Sequence, residues 1–69
     1  MNYKNKKIAI VGFGVEGTAS THFLLAEGAS ITVFDEKTEE EFDTKLVTEL
    51  KAKGVAFVLG KMMIFLLLR

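Results

Sequence analysis

Three glycines with a fixed spacing, and one aspartate further on, are the residues of this 69-residue chain whose types and positions suit chemistry. Gly12, Gly14 and Gly17 form a G-x-G-x-x-G array directly after the apolar run Ile8-Ala9-Ile10-Val11. Each has a physical task where a strand turns into a helix. Gly12 lets the chain leave the strand in a tight turn. Gly14 has no side chain, so a pyrophosphate can come close to the backbone. Gly17 lets the helix pack tightly against the sheet. The first N–H groups of a helix, here those of Val15, Glu16 and Gly17, lack intrahelical acceptors, and the helix dipole adds partial positive charge. Phosphate oxygens satisfy both. Asp35 lies 18 residues beyond Gly17, close to the separation of an acidic ribose partner. Together these residues predict a nucleotide-diphosphate site. The plainer reading is a structural glycine turn with a solvated Asp35.

The other polar candidates carry less. Glu16 sits in the first helical turn, where a carboxylate suits the dipole but repels a phosphate. It either points to solvent or accepts hydrogen bonds from a ligand or loop. His22 has no second His, Cys or carboxylate at a ligand spacing, so it is read as a surface or helix–sheet packing residue. Glu39-Glu40-Glu41 reads as a solvated helix start favoured by the dipole. The chain has no cysteine, which removes disulfides, thiolate zinc sites and thiol nucleophiles. No catalytic residue and no metal site are expected.

These residues need elements to position them. Ile8–Val11 is a short continuous apolar run, which suits a strand buried on both faces of a parallel sheet. From Val15 to Glu27, apolar or small residues at Ala19, Phe23, Leu24 and Ala26 have helical spacing, and Gly28 stands where a C-cap glycine belongs. Ile31-Thr32-Val33-Phe34 is β-branched and aromatic, a second strand ending at Asp35. Thr38 and Glu41 have capping-box spacing. Phe42, Leu46 and Leu50, with Val47 and Ala52 nearby, form the stripe of a second helix that Gly54 ends. Val55–Leu59 is a third strand. Alternating strands and helices with short joins predict an α/β fold: a Rossmann-like βαβαβ half over residues 1–60, with a short parallel sheet and right-handed crossovers. One edge of such a sheet is left open.

Composition bounds the rest. Nine Lys/Arg balance nine Asp/Glu, which gives no electrostatic case for nucleic acid or an anionic membrane as partner. The basic N-terminus precedes too short an apolar run for a secretory leader, so a cytoplasmic location is expected. Met62–Leu68 is seven apolar residues long, far short of the roughly 20 that span a bilayer. This tail, residues 61–69, breaks the strand–helix rhythm. It is read as a frameshift or truncation that replaced the true continuation, the other reading being a short strand or helix packed on the sheet.

The stretches Lys7-Ile8-Ala9-Ile10-Val11-Gly12-Phe13-Gly14-Val15-Glu16-Gly17, Leu24-Leu25-Ala26-Glu27-Gly28 and Ile31-Thr32-Val33-Phe34-Asp35-Glu36-Lys37 together resemble the start of the MurD family. These are the UDP-N-acetylmuramoyl-L-alanine–D-glutamate ligases of peptidoglycan synthesis. The resemblance covers residues 6 to about 60, the family's N-terminal domain. It implies a Rossmann-like scaffold that holds the UDP of UDP-N-acetylmuramoyl-L-alanine. The glycine turn, with the backbone of Val15, Glu16 and Gly17, would meet the diphosphate, and Asp35, Glu36 and Lys37 would border the uridine. Where the family often carries Thr or Ser, Glu16 offers no hydroxyl.

ATP and magnesium belong, by this resemblance, to a central domain that opens with a P-loop, and D-glutamate to a third domain. Gly60-Lys61-Met62 does not make a G-x-x-x-x-G-K-[ST] loop: Met62 has no hydroxyl, and no glycine stands five positions before Gly60. The chain as it stands is therefore expected to be catalytically silent and to need no cofactor of its own. The alternative is an NAD(P)-binding Rossmann domain of a dehydrogenase or regulatory protein. There Asp35 would hold the adenosine ribose diol of NAD.

Overall fold

A computed structural model describes residues 3–60. The tail at 61–69 lies outside the described residues. Within them the order is β1 (Lys7–Val11), α1 (Val15–Ala26), β2 (Ser30–Asp35), a 3₁₀ turn (Glu39–Glu41), α2 (Thr44–Ala52) and β3 (Ala56–Leu59). The strands form one parallel sheet in the order β1-β2-β3. Ile8 pairs with Ile31 and Ile10 with Val33, which in turn pairs with Phe57. This is the expected βαβαβ half.

The register separates the two faces of the sheet. Paired residues of parallel strands point to the same side, so Ile8, Ile10, Ile31, Val33 and Phe57 share one face. The helices cover that face. Val47 and Leu50 of α2 are fully buried in one cluster with Ile31 and Val33, and Leu24 and Leu25 of α1 pack against it. Two right-handed crossovers that step in one direction along a sheet put both helices on the same side. The opposite face, with Ala9, Val11, Thr32, Phe34, Ala56 and Val58, carries no helix among the described residues. Ala9, Val11 and Ala56 are exposed there. The expectation of a β1 buried on both faces is thus corrected. Among the described residues β1 is an outer strand whose exposure alternates with the pleat, Ile8 and Ile10 inward and Lys7, Ala9 and Val11 outward.

Two further expectations change in detail. On α1 the inward face is Gly17, Thr21, Leu24 and Leu25, not the Ala19–Phe23–Ala26 side. Thr21 is fully buried, while Ala19 and Ala26 are exposed and Phe23 is 57% exposed. Contact between Gly17 and the glycine turn sets this rotation, and residues four apart follow it. Thr21 tolerates burial because its Oγ1 donates to the Gly17 carbonyl at 2.8 Å.

The second helical segment is broken in two. The Glu41 carboxylate accepts from the Thr38 N–H at 2.8 Å and from its hydroxyl at 3.3 Å, closing the 3₁₀ turn. The backbone is then extended at Phe42 (φ −110°, ψ 172°). Asp43 restarts the helix as N-cap, its Oδ1 accepting from the N–H groups of Lys45 and Leu46. Such a cap is worth about 1 kcal/mol. Ala52, expected in the apolar stripe, is exposed at the end of α2.

Candidate functional site

The carboxyl ends of the strands carry the candidate site, as in open α/β sheets generally. Gly12 leaves β1 with φ +90°, a conformation that L side chains rarely adopt, and its N–H donates to the Phe34 carbonyl at 2.8 Å. Gly14 is the N-cap of α1, and no side chain caps this helix end. The orphan N–H groups of the first turn therefore face outward without a protein acceptor from the cap residue. A Cβ built on Gly14 meets nothing within 4 Å, so the space above it is open. At Gly17 a Cβ would lie far inside contact distance of the Gly12 carbonyl oxygen, with Ile10 Cγ2 at 3.5 Å. The tightest approach that Gly17 permits is thus to the turn itself more than to the strand.

A cavity of about 550 Å³ lies against this helix start. Ala9, Ile10 and Val11 of β1, Gly12 and Gly14 of the turn, and Val15, Glu16, Gly17 and Ser20 of α1 form its walls. Glu16 is exposed at this wall. Ser20 was not singled out from the sequence. Its signal was its place one helical turn after Glu16, which puts both residues on the same side of α1.

Asp35, Glu36 and Lys37 are not among the cavity walls. Asp35 is nevertheless joined to the turn. Its Oδ2 accepts from the Phe13 N–H at 2.8 Å and its Oδ1 from the Lys37 N–H at 2.9 Å. Burial by itself would raise the Asp35 pKa. The N–H groups of Lys37 and Phe13, with the Lys37 charge and the Glu36 N–H, outweigh it and hold the carboxyl below its ordinary value. The side chains of Glu36 and Lys37 are exposed. The Gly60 N–H donates to the carbonyls of Asp35 and Lys37 at 3.1 and 2.9 Å, tying the end of β3 to the same loop.

Phe13, the first variable position of the glycine array, is buried. Its ring meets those of Phe42 and Phe57 edge to face, with centroids 5.5 and 5.3 Å apart. Sequence reasoning passed over it because a variable position in a loop is usually solvated. The signal that could have found it is an aromatic at a turn made otherwise of glycine. His22 is exposed. Among the described residues no group of three or more His, Cys, Asp or Glu could hold a metal ion, and no helix is long and apolar enough to cross a membrane.

Comparison with known proteins decides the kinship. The family model described as Mur ligase MurD-like, N-terminal domain, matches residues 6–69. The chain belongs to this family. Among MurD relatives, it is 45% identical over 58 residues to the UDP-N-acetylmuramoylalanine–D-glutamate ligase of Clostridium acetobutylicum, a match covering 84% of this chain and 13% of that protein. The ligase of the same name from Clostridium tetani is 47% identical over 57 residues, 83% of this chain and 12% of its own length. That of Limosilactobacillus reuteri is 34% identical over 58 residues, again 84% of this chain and 12% of the relative. The chain thus spans about an eighth of the MurD relatives it matches.

Proposed function

We propose that this chain holds the UDP end of UDP-N-acetylmuramoyl-L-alanine for a MurD-type ligase that adds D-glutamate to that substrate in peptidoglycan synthesis. The observation that carries the reading is the uncapped start of α1 beside Gly14, where open space faces a row of backbone N–H groups. A diphosphate matches that space in charge and in hydrogen bonding. On this reading Gly12, Gly14 and the backbone of Val15, Glu16 and Gly17 meet the diphosphate. Asp35, Glu36 and Lys37 border the uridine, at the end of the strand next to the turn.

The amide-forming chemistry is assigned to other parts of such a ligase. A loop for the phosphates of ATP requires G-x-x-x-x-G-K-[ST], which this sequence lacks. ATP and magnesium are accordingly placed outside this chain, and the chain by itself is expected to bind substrate without ligating it. The cytoplasm, where nucleotide-activated precursors are made, is the compartment this reading requires. The dehydrogenase alternative is not favoured, since the relatives that match are ligases by name.

Calorimetric titration of the full chain with UDP-N-acetylmuramoyl-L-alanine, with UDP and with NADH tests the proposal. Saturable binding of the first two, unaffected by NADH, is the expected result. Saturable NADH binding that UDP does not displace would overturn it.

A further inference from the structure

Asp35 has two jobs open to it at the end of β2: it can touch a nucleoside directly, or it can shape the turn that receives the phosphates. Its two carboxylate oxygens are each engaged by a backbone N–H, one from Phe13 inside the glycine turn and one from Lys37 in its own loop. The Phe13 ring is held from the other side, between Phe42 after the 3₁₀ turn and Phe57 of β3. Main chain and side chain of one residue, placed between Gly12 and Gly14, are therefore both fixed by elements outside the turn. Glycines flanking Phe13 supply the close approach but also the freedom to collapse into other shapes. A turn this rich in glycine needs an external hold to keep its N–H groups aimed at one place, and ordering it in advance lowers the cost of binding.

We infer that Asp35 and Phe13 form a clasp that pre-shapes the glycine turn for a diphosphate, with Asp35 a positioning residue for the phosphate subsite and Phe13 the anchor. The inference rests on the diphosphate reading above, and adds a role that contact with uridine does not supply. The extended backbone at Phe42, which breaks the second helical segment, serves the same clasp by bringing the Phe42 ring to Phe13. The carboxylate serves here through its acceptor oxygens, since the two bonds it accepts are charge-assisted and stronger than neutral ones.

The test uses inorganic pyrophosphate, which has no nucleoside for Asp35 to touch, on the full chain and on Asp35→Asn and Phe42→Leu. Asp35→Asn removes a negative charge near an anion, so electrostatics alone would tighten pyrophosphate binding. The clasp requires the opposite, a loss of about tenfold or more, the usual weight of a hydrogen bond to a charged group. Phe42→Leu, which lies outside the cavity walls, should weaken pyrophosphate in the same direction. In amide NMR spectra of Asp35→Asn, the Gly12–Gly17 resonances should shift and the Phe13 amide, which donates to Asp35, should exchange faster, while Ile31 and Val33 stay in place. Equal or tighter pyrophosphate binding by Asp35→Asn, with weaker UDP binding, would make Asp35 a nucleoside contact only and overturn the clasp. Failure of the unmodified chain to bind either UDP or pyrophosphate would remove the functional reading. The clasp would then stand or fall on exchange at Phe13, and unchanged protection there in Asp35→Asn would overturn it.

Discussion

The three glycines of the array differ in what they tolerate. Open space above Gly14 means that Gly14→Val costs the fold little, while its side chain fills the place a diphosphate would take. Loss of UDP binding with an unchanged far-ultraviolet circular dichroism spectrum is the expected outcome, and unchanged affinity would remove the site assignment. Gly17 is the reverse case, because any Cβ there collides with the Gly12 carbonyl. Glu16 is the residue that works against the proposed ligand. Glu16→Gln should tighten UDP binding by about fivefold at low ionic strength, the worth of one repulsive charge pair near water. Added salt should close the gap, which titrations at two ionic strengths would read. Asp35 adds a pH dependence of definite sign. Its folded pKa lies below its ordinary value, so its contribution to stability is present above about pH 4 and is lost as the pH falls through the folded pKa. The gap in melting temperature between the chain and Asp35→Asn should shrink on going below about pH 4. A constant gap would show that the charge of Asp35 is not what the turn uses.

Helix starts govern the elements. α1 begins at a glycine with no side-chain cap, whereas α2 begins at Asp43, whose carboxylate accepts from the N–H groups of Lys45 and Leu46. On the proposed reading the start of α1 serves binding and that of α2 serves stability. Asp43→Ala should destabilise the chain by about 1 kcal/mol and leave UDP affinity unchanged, as thermal melts with and without UDP would show. The same contrast explains the exposed side of α1. Gly17 must face the turn, so Thr21 follows it inward and Ala19 and Phe23 turn outward, apolar though they are.

At the scale of the molecule, two helices cover one face of a three-stranded sheet and leave the other face without a helix among the described residues. One cluster around Val33, Val47 and Leu50 is therefore the buried core. A chain of this size retains little stability to spare. Leu50→Ala should cost about 2–5 kcal/mol, enough to lower the melting temperature sharply or to abolish the transition. A change at Ala9 or Val11, on the uncovered face, should do far less, and the comparison by thermal denaturation tests which face holds the fold.

Much of this was legible from one-dimensional pattern, because the forces concerned are local. The apolar runs, the glycines between them and the β-branched second strand specify the order of elements. The G-x-G-x-x-G spacing specifies a turn whose backbone must be free to take φ +90° at Gly12 and to touch itself at Gly17. Kinship with the MurD ligases was carried by the same residues. What depended on the tertiary structure was everything set by partners distant in sequence. The face α1 turns to the sheet follows from a backbone contact between Gly12 and Gly17, and no apolar stripe marks it. The burial of Phe13 depends on Phe42 and Phe57, 29 and 44 residues away. The attachment of Asp35 to the glycine turn crosses 22 residues. Side-chain type and spacing specify which groups are available, but only the parallel pairing of β1 with β2 brings the end of one strand to the end of the next. That pairing is what joins the Asp35 carboxylate to the glycine turn.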